Sequence, residues 1–278
     1  MPIDSTSVAV ITGAASGIGR AVAVRFAKEG VAGVVVSDVD EAGLAETAAM
    51  ITEVGVPVLS QICNVGEREP VQALHDAAVE RFGRVTHLIN NAGVGLIGKF
   101  EQLSIEDFQW IMSINFWGVV YGCKIFLPTL LKQDSAHIVN VSSVFGLIAP
   151  EEQSAYCASK FAVRGFTESL RHEFEDTNVI VACVHPGGIK TNIVRNSRVG
   201  ENAPEEWKTQ GTKFFDRVAK TTAEEAAQVI LEGIKTNNPR ILIGKDARTI
   251  SNLARLFPKK YLRVIERLNG HKMSLRKK

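Results

Sequence analysis

Cysteine is sparse in this 278-residue chain: four in all, at Cys63, Cys123, Cys157 and Cys183, with no C-x-x-C spacing among them. Such scatter argues against a disulfide framework or a metal cage and leaves buried free thiols as the expectation. No run of eighteen apolar residues is present, and the opening MPIDSTS lacks a basic region followed by an apolar one. The sequence therefore predicts neither a spanning helix nor a secretory signal, and a cytoplasmic location by default. Hydrophobic residues at 45% and charged residues at 22% are ordinary usage, which gives no support to a disordered or fibrous chain.

The formal net charge of +2 conceals an asymmetry. From Arg240 to Lys278 there are twelve basic residues against two acids, Asp246 and Glu266, while the preceding chain has an acidic excess. A basic patch can bind nucleic acid, but stacking, finger and repeat motifs are missing, so no nucleic-acid partner is expected.

Short β-branched runs alternate with longer helical patterns. Residues 8–11, 34–37, 58–62, 86–90, 137–141, 179–185 and 240–243 predict buried strands. Residues 18–28, 41–53, 70–82, 105–131, 154–174 and 222–235 predict helices. Continuous apolar strands separated by helices imply an α/β fold: a single doubly wound parallel sheet of about seven strands, with helices on both faces. One domain is expected over residues 1–244, then an extension over 245–278. The irregular piece 187–220 is long enough to be a candidate lid.

After the first strand comes Thr12-Gly13-Ala14-Ala15-Ser16-Gly17-Ile18-Gly19. Glycines at the opening of a helix let backbone N–H groups approach an anion, and the helix N-terminus adds partial positive charge. A pyrophosphate fits there, as does an ordinary strand-to-helix turn. Asp38 ends the second strand, where an acid in a dinucleotide fold accepts hydrogen bonds from the adenosine ribose. A 2′-phosphate would face that carboxylate at a cost of roughly 4 kcal/mol for charges about 4 Å apart at an effective dielectric near 20. NAD is therefore favoured over NADP. Asp38 as a turn residue or helix cap is the plainer alternative.

Tyr156 and Lys160 are spaced i, i+4, so they share a helix face. A phenol titrates near pH 10, and a lysine charge about 6 Å away is worth roughly two pKa units at that dielectric. The pair thus predicts a phenol lowered toward the range of a general acid/base.

Together, T-G-x-x-x-G-x-G at 12–19, Asn90-Asn91-Ala92-Gly93, Asn115, Ser143, Tyr156-x-x-x-Lys160 and Pro186-Gly187 with Thr191 resemble the short-chain dehydrogenase/reductase family over residues 5–244. The resemblance implies hydride transfer with Tyr156 as general acid/base and Lys160 binding the nicotinamide ribose. Ser143 would polarise the substrate oxygen, and Asn115 would hold a water linked to the lysine. It further implies a cofactor site built from Gly13, Ser16, Gly17, Ile18, Gly19, Asp38, Asn64, Val65, Asn91, Ala92, Gly93, Pro186, Gly187, Ile189 and Thr191, besides Tyr156 and Lys160. Many relatives carry Asp where this chain has Asn64, which weakens one adenine contact. No chemistry is assigned to His75, His87, His137, His172, His185 or His271.

Val94, Leu96, Ile97, Phe145, Leu147, Ile148, Ile193 and Val194 are expected beside the reacting carbon, suggesting an apolar secondary alcohol or ketone; each could equally be core. In the extension, an apolar stripe with basic flanks predicts two helices divided by Pro258 that lie on a membrane, on another subunit or on their own domain. Many relatives are homodimers or homotetramers. The alternatives to an enzyme of this kind are a nucleotide-sensing binding protein on the same fold and an epimerase or dehydratase.

Overall fold

In chain order the elements are β1 (Val8–Thr12), α1 (Gly17–Lys28), β2 (Gly33–Asp38), α2 (Glu41–Glu53), β3 (Val58–Ile62), α3 (Arg68–Phe82), β4 (His87–Asn90), β5 (Leu96–Ile97), α4 (Ile105–Met112) and α5 (Gly118–Leu130). There follow β6 (Ala136–Val141), α6 (Ser154–Glu173), β7 (Val179–Pro186), β8 (Arg198–Val199), α7 (Glu206–Val218), α8 (Ala223–Lys235), β9 (Arg240–Ile243), α9 (Lys245–Leu256) and α10 (Tyr261–Asn269). The computed structural model describes residues 3–204 and 206–269.

Seven strands form one parallel sheet in the order β3-β2-β1-β4-β6-β7-β9. Successive side chains of a strand point to opposite faces, and the two cores divide accordingly. Ala9, Ile11, Val34 and Val36 pack with Val22 and Phe26 of α1, Leu44 of α2 and Ile230 of α8. Val10, Val35, Leu88 and Ile138 pack on the other face with Leu74 of α3, Phe126 of α5 and Val163 of α6. Burial on both faces explains why the strands read as unbroken apolar runs.

The structure departs from the sequence expectation in three places. The helix predicted over 105–131 is interrupted by a π turn, Ser113–Trp117, between α4 and α5. Its span, Ile105–Leu130, does have the length and hydropathy of a membrane-crossing helix, contrary to the expectation of none. Here that apolarity serves packing: Val119, Cys123, Phe126 and Leu130 lie against the sheet.

The stretch expected to be irregular, 187–220, contains β8 and α7. β8 pairs in parallel with β5 over two residues, too short for an alternation signal. Gly211, which reads as a breaker, lies inside α7; a Cβ there would stand 3.4 Å from Ile97 Cδ1, so α7 approaches β5 closely at this position. Outside the ladder, Arg198 lies over the Trp110 ring at 3.8 Å, fixing β8 to α4. The extension does form two helices about Pro258; its residues 270–278, with His271, lie outside the described residues.

Candidate active site

Between β1 and β4 the strand order reverses, which opens a crevice at the carboxyl ends of the strands. The loops after β1, β3, β4, β6 and β7, together with the end of β2, carry most of the candidate residues there.

The loop from Thr12 to Gly19 is shaped to admit an anion. Gly13 and Gly17 have φ of 66° and 54°, and a Cβ on Gly13 would stand 2.6 Å from Ala92 Cα. Asn91 holds this turn to the next loop: its Nδ2 donates to the carbonyls of Thr12 at 2.9 Å and Gly13 at 3.0 Å. Thr12 Oγ1 completes the tie by accepting from the Asn91 and Ala92 N–H groups, each at 3.1 Å. Asn91 therefore braces the glycine turn, while Ala92 borders it.

At the start of α1 the exposed Ser16 makes no side-chain cap, and the first turn holds no acid. By contrast, Asp40, Ser104 and Thr222 cap α2, α4 and α8. The N–H groups and dipole at Gly17, Ile18 and Gly19 are thus left for an external anion, so the residues fit a dinucleotide pyrophosphate. Asp38 Oδ2 accepts from Ala15 N at 2.9 Å, and its Oδ1 accepts from Val39 N at 2.7 Å and Asp40 N at 3.2 Å. Since each carboxylate oxygen can accept more than one bond, room remains for ribose hydroxyls. The neighbouring Arg20 is engaged with Glu46 and with the carbonyls of Ala15 and Gly43.

Asn64 turns back on its own loop, donating to Glu67 at 2.6 Å and accepting from Gly66 N at 3.1 Å. Val65 is buried against Gly118. Ile189, expected to reach toward the nicotinamide, buries its side chain in the core cluster that includes residues of α1 and α8. Thr191 lies over the glycine turn, with its methyl 3.1 Å from the position of a Cβ on Gly17.

Three elements bring the candidate catalytic side chains together. The π turn places the buried Asn115 so that its Oδ1 accepts from Val94 N at 2.8 Å, while its Nδ2 donates to Val94 O at 3.0 Å and Ser159 Oγ at 3.1 Å. Ser159 in turn donates to the Tyr156 carbonyl at 2.7 Å. Gly93 is the meeting point: a Cβ there would lie 3.2 Å from both Asn115 Oδ1 and Lys160 Nζ. Ser143 follows β6; its Oγ accepts from Phe145 N at 3.1 Å and lies near enough to the Tyr156 phenol to lower its pKa. Ser142 is separate, donating to the Lys160 carbonyl at 2.8 Å.

Lys160 Nζ stands 5.8 Å from the Tyr156 ring centroid and donates to Val141 O at 3.1 Å. The sequence predicts a lowered phenol; the structure corrects this. Burial pushes Tyr156 up to about 12, with the Ser143 hydrogen bond offsetting part of the rise. Burial likewise pushes Lys160 down to about 8. The desolvation that accompanies their convergence disfavours both charged forms and outweighs the charge effect expected from spacing alone.

Two residues of the extension also belong to this region, and the sequence offers little sign of either. Asp246, in the first turn of α9, accepts from Gly188 N at 2.7 Å, and a Cβ on Gly187 would collide with its carboxylate. Tyr261, opening α10, accepts through its Oη from Ala149 N at 3.1 Å. An acid two residues after Gly244 is the available signal for Asp246. Among the predicted apolar lining residues, Leu96, Ile97, Leu147 and Ile148 are buried, and Leu96 packs with Ile111 and Ala155. Phe145 remains partly open and meets the Tyr156 ring edge-to-face at 6.1 Å.

A glycine cradle joined to a Ser–Tyr–Lys cluster across one crevice defines an oxidoreductase of the nicotinamide-dinucleotide class. Residues 7–202 match the family model for short chain dehydrogenase. The chain is 44% identical over 261 residues to a putative oxidoreductase, SadH, of Mycobacterium tuberculosis, covering 93% of each chain. It is 35% identical over 191 residues to a cyclohexanol dehydrogenase of an Acinetobacter species, covering 68% of this chain and 76% of that one. A crystal structure of a short-chain dehydrogenase/reductase from Burkholderia phymatum in complex with NAD has a TM-score of 0.83 at 33% identity, covering 99% and 98% of the two chains. The chain belongs to the short-chain dehydrogenase/reductase family.

Proposed function

We propose that the protein is an NAD-dependent dehydrogenase acting on an apolar secondary alcohol, or on the corresponding ketone in reverse, with Tyr156 as general acid/base. The observation that carries this reading is the convergence of the Ser143 hydroxyl on the Tyr156 phenol, with Lys160 on the same helix face. Relatives support it in kind: one is a cyclohexanol dehydrogenase and another was solved with NAD.

Gly13, Ser16, Gly17, Ile18 and Gly19 would hold the pyrophosphate, Asp38 the adenosine ribose, and Asn64, Val65 and Ala92 the adenine side. Gly93, Lys160, Pro186, Gly187, Thr191 and the main chain of Ile189 would border the nicotinamide side. When bound, the nicotinamide supplies the hydride acceptor and, in its oxidised form, a positive charge. Ser143 donates a hydrogen bond to the substrate oxygen and steadies charge developing there. Tyr156 takes the hydroxyl proton at its phenol oxygen, or returns it to the carbonyl. Lys160, still largely protonated at neutral pH with a pKa of about 8, stabilises the phenolate electrostatically. Asn115 orients the segment around Lys160 through Val94 and Ser159.

NAD is preferred on this reading because the Asp38 carboxylate repels a 2′-phosphate while Arg20 is already paired with Glu46. The exposed Trp117, at the end of the π turn before α5, and Phe161 of α6 suit pairing of two copies through this face. Initial rates across a panel of cyclic and open-chain secondary alcohols, with NAD and with NADP, test the assignment. Turnover of apolar alcohols with NAD is expected; a marked preference for NADPH-driven reduction would overturn it.

A further inference from the structure

Where α9 gives way to α10, six consecutive residues, Arg255-Leu256-Phe257-Pro258-Lys259-Lys260, stand exposed. Leu256 is 70% exposed and Phe257 46%, with Leu268 on α10 at 67%. Single exposed apolar side chains are ordinary on soluble proteins. Here the two aromatic and aliphatic residues share a tip with three cations, and the exposed Arg263 and Arg267 follow on α10. No acid intervenes between Asp246 and Glu266.

The rest of the hairpin is already committed to its own domain. Ala247, Ser251 and Ile265 are buried, Asp246 is fixed to Gly188 and Tyr261 to Ala149. Packing on the domain therefore accounts for the inner face and leaves the tip uncovered. A second copy seated on the same patch through a two-fold contact would bring like charges together, which disfavours that occupant. An anionic surface complements the patch. Because Tyr261 directly follows the tip and bonds Ala149, the tip is held close to the loop carrying Leu147 and Ile148.

We propose that this tip docks on an anionic lipid bilayer, with Leu256 and Phe257 entering the acyl boundary and Arg255, Lys259, Lys260, Arg263 and Arg267 facing lipid phosphates. Apolar residues supply insertion, and each cation near an anionic leaflet strengthens adsorption about fivefold. The docking does not rest on the assigned hydride chemistry and is read independently of it.

The test is co-sedimentation of the full chain with vesicles of phosphatidylcholine alone or mixed with phosphatidylserine. Wild type is expected to partition onto the mixed vesicles at least about tenfold more strongly than onto the neutral ones. The pairs Leu256→Ser/Phe257→Ser and Lys259→Glu/Lys260→Glu should each weaken that binding about tenfold or more while keeping the wild-type melting temperature. Absence of wild-type binding to the mixed vesicles, or binding as strong as wild type by both variant pairs, overturns the proposal. So does a change of oligomeric state in Leu256→Ser/Phe257→Ser by light scattering, which assigns the tip to contact between copies.

Discussion

The Asp246 carboxylate accepts a hydrogen bond from the Gly188 backbone N–H at 2.7 Å, joining the first turn of α9 to the turn that follows β7. Asp246→Ala leaves that N–H without its acceptor, at a cost of about 1 kcal/mol in holding the turn, or roughly fivefold in NAD affinity. Asp246→Asn keeps an acceptor oxygen and should restore most of the affinity. Calorimetric titration with NAD distinguishes the two; equal binding by Asp246→Ala and wild type would show that the turn stands unaided.

Asp38 is expected to decide between the two dinucleotides. Asp38→Asn removes the charge but keeps an acceptor for the Ala15 N–H, so the glycine turn should persist. The ratio of kcat/KM for NADP over NAD should rise by about tenfold to a thousandfold, the upper end being the full like-charge penalty. An unchanged ratio would place the 2′-position elsewhere.

Gly13 has φ of 66°, and its missing Cβ would stand 2.6 Å from Ala92 Cα. Gly13→Ala should therefore lower stability by about 1–3 kcal/mol through strain and crowding and weaken NAD binding as the turn shifts from Asn91. Chemical denaturation and NAD titration of the same variant measure the two effects. Loss of neither would contradict the close fit of this loop.

Buried imidazoles make stability sensitive to acid. His87 and His137 stack at 5.2 Å across the register pair of β4 and β6, and burial holds His87 down to about 3. His137 is lowered by burial too, and His185, buried beside the Ser143 carbonyl, falls to about 4. Such groups take up protons in the unfolded chain, near pH 6.5, before they do so in the folded one. Their neutral forms therefore cost nothing above that pH, and stability drops as pH falls below it, by about 1.4 kcal/mol per unit for each fully engaged histidine. Urea unfolding at pH 7 and pH 5 should show the loss, and His87→Phe should make it shallower.

Much of this arrangement is legible in the sequence because it rests on local patterns. Strands such as Val34–Ser37 announce themselves by β-branched runs buried on both faces, and Tyr156 and Lys160 by one turn of helix. What escapes depends on contacts distant in sequence. α7 is mostly polar and hides its single buried aromatic, Trp207; the π turn at Asn115 looks like continuous helix. Asp246 and Tyr261 resemble ordinary extension residues until the fold brings them to Gly188 and Ala149. The phenol's direction escapes for a related reason: charge spacing is visible in sequence, whereas desolvation depends on everything packed around the pair.

The most direct measurement is turnover of a soluble secondary alcohol by Tyr156→Phe at saturating NAD, alongside its NAD affinity by titration. Removal of the phenol oxygen should lower kcat by about a thousandfold while leaving NAD affinity within about twofold of wild type. Full turnover by the phenylalanine variant would contradict proton transfer at that oxygen.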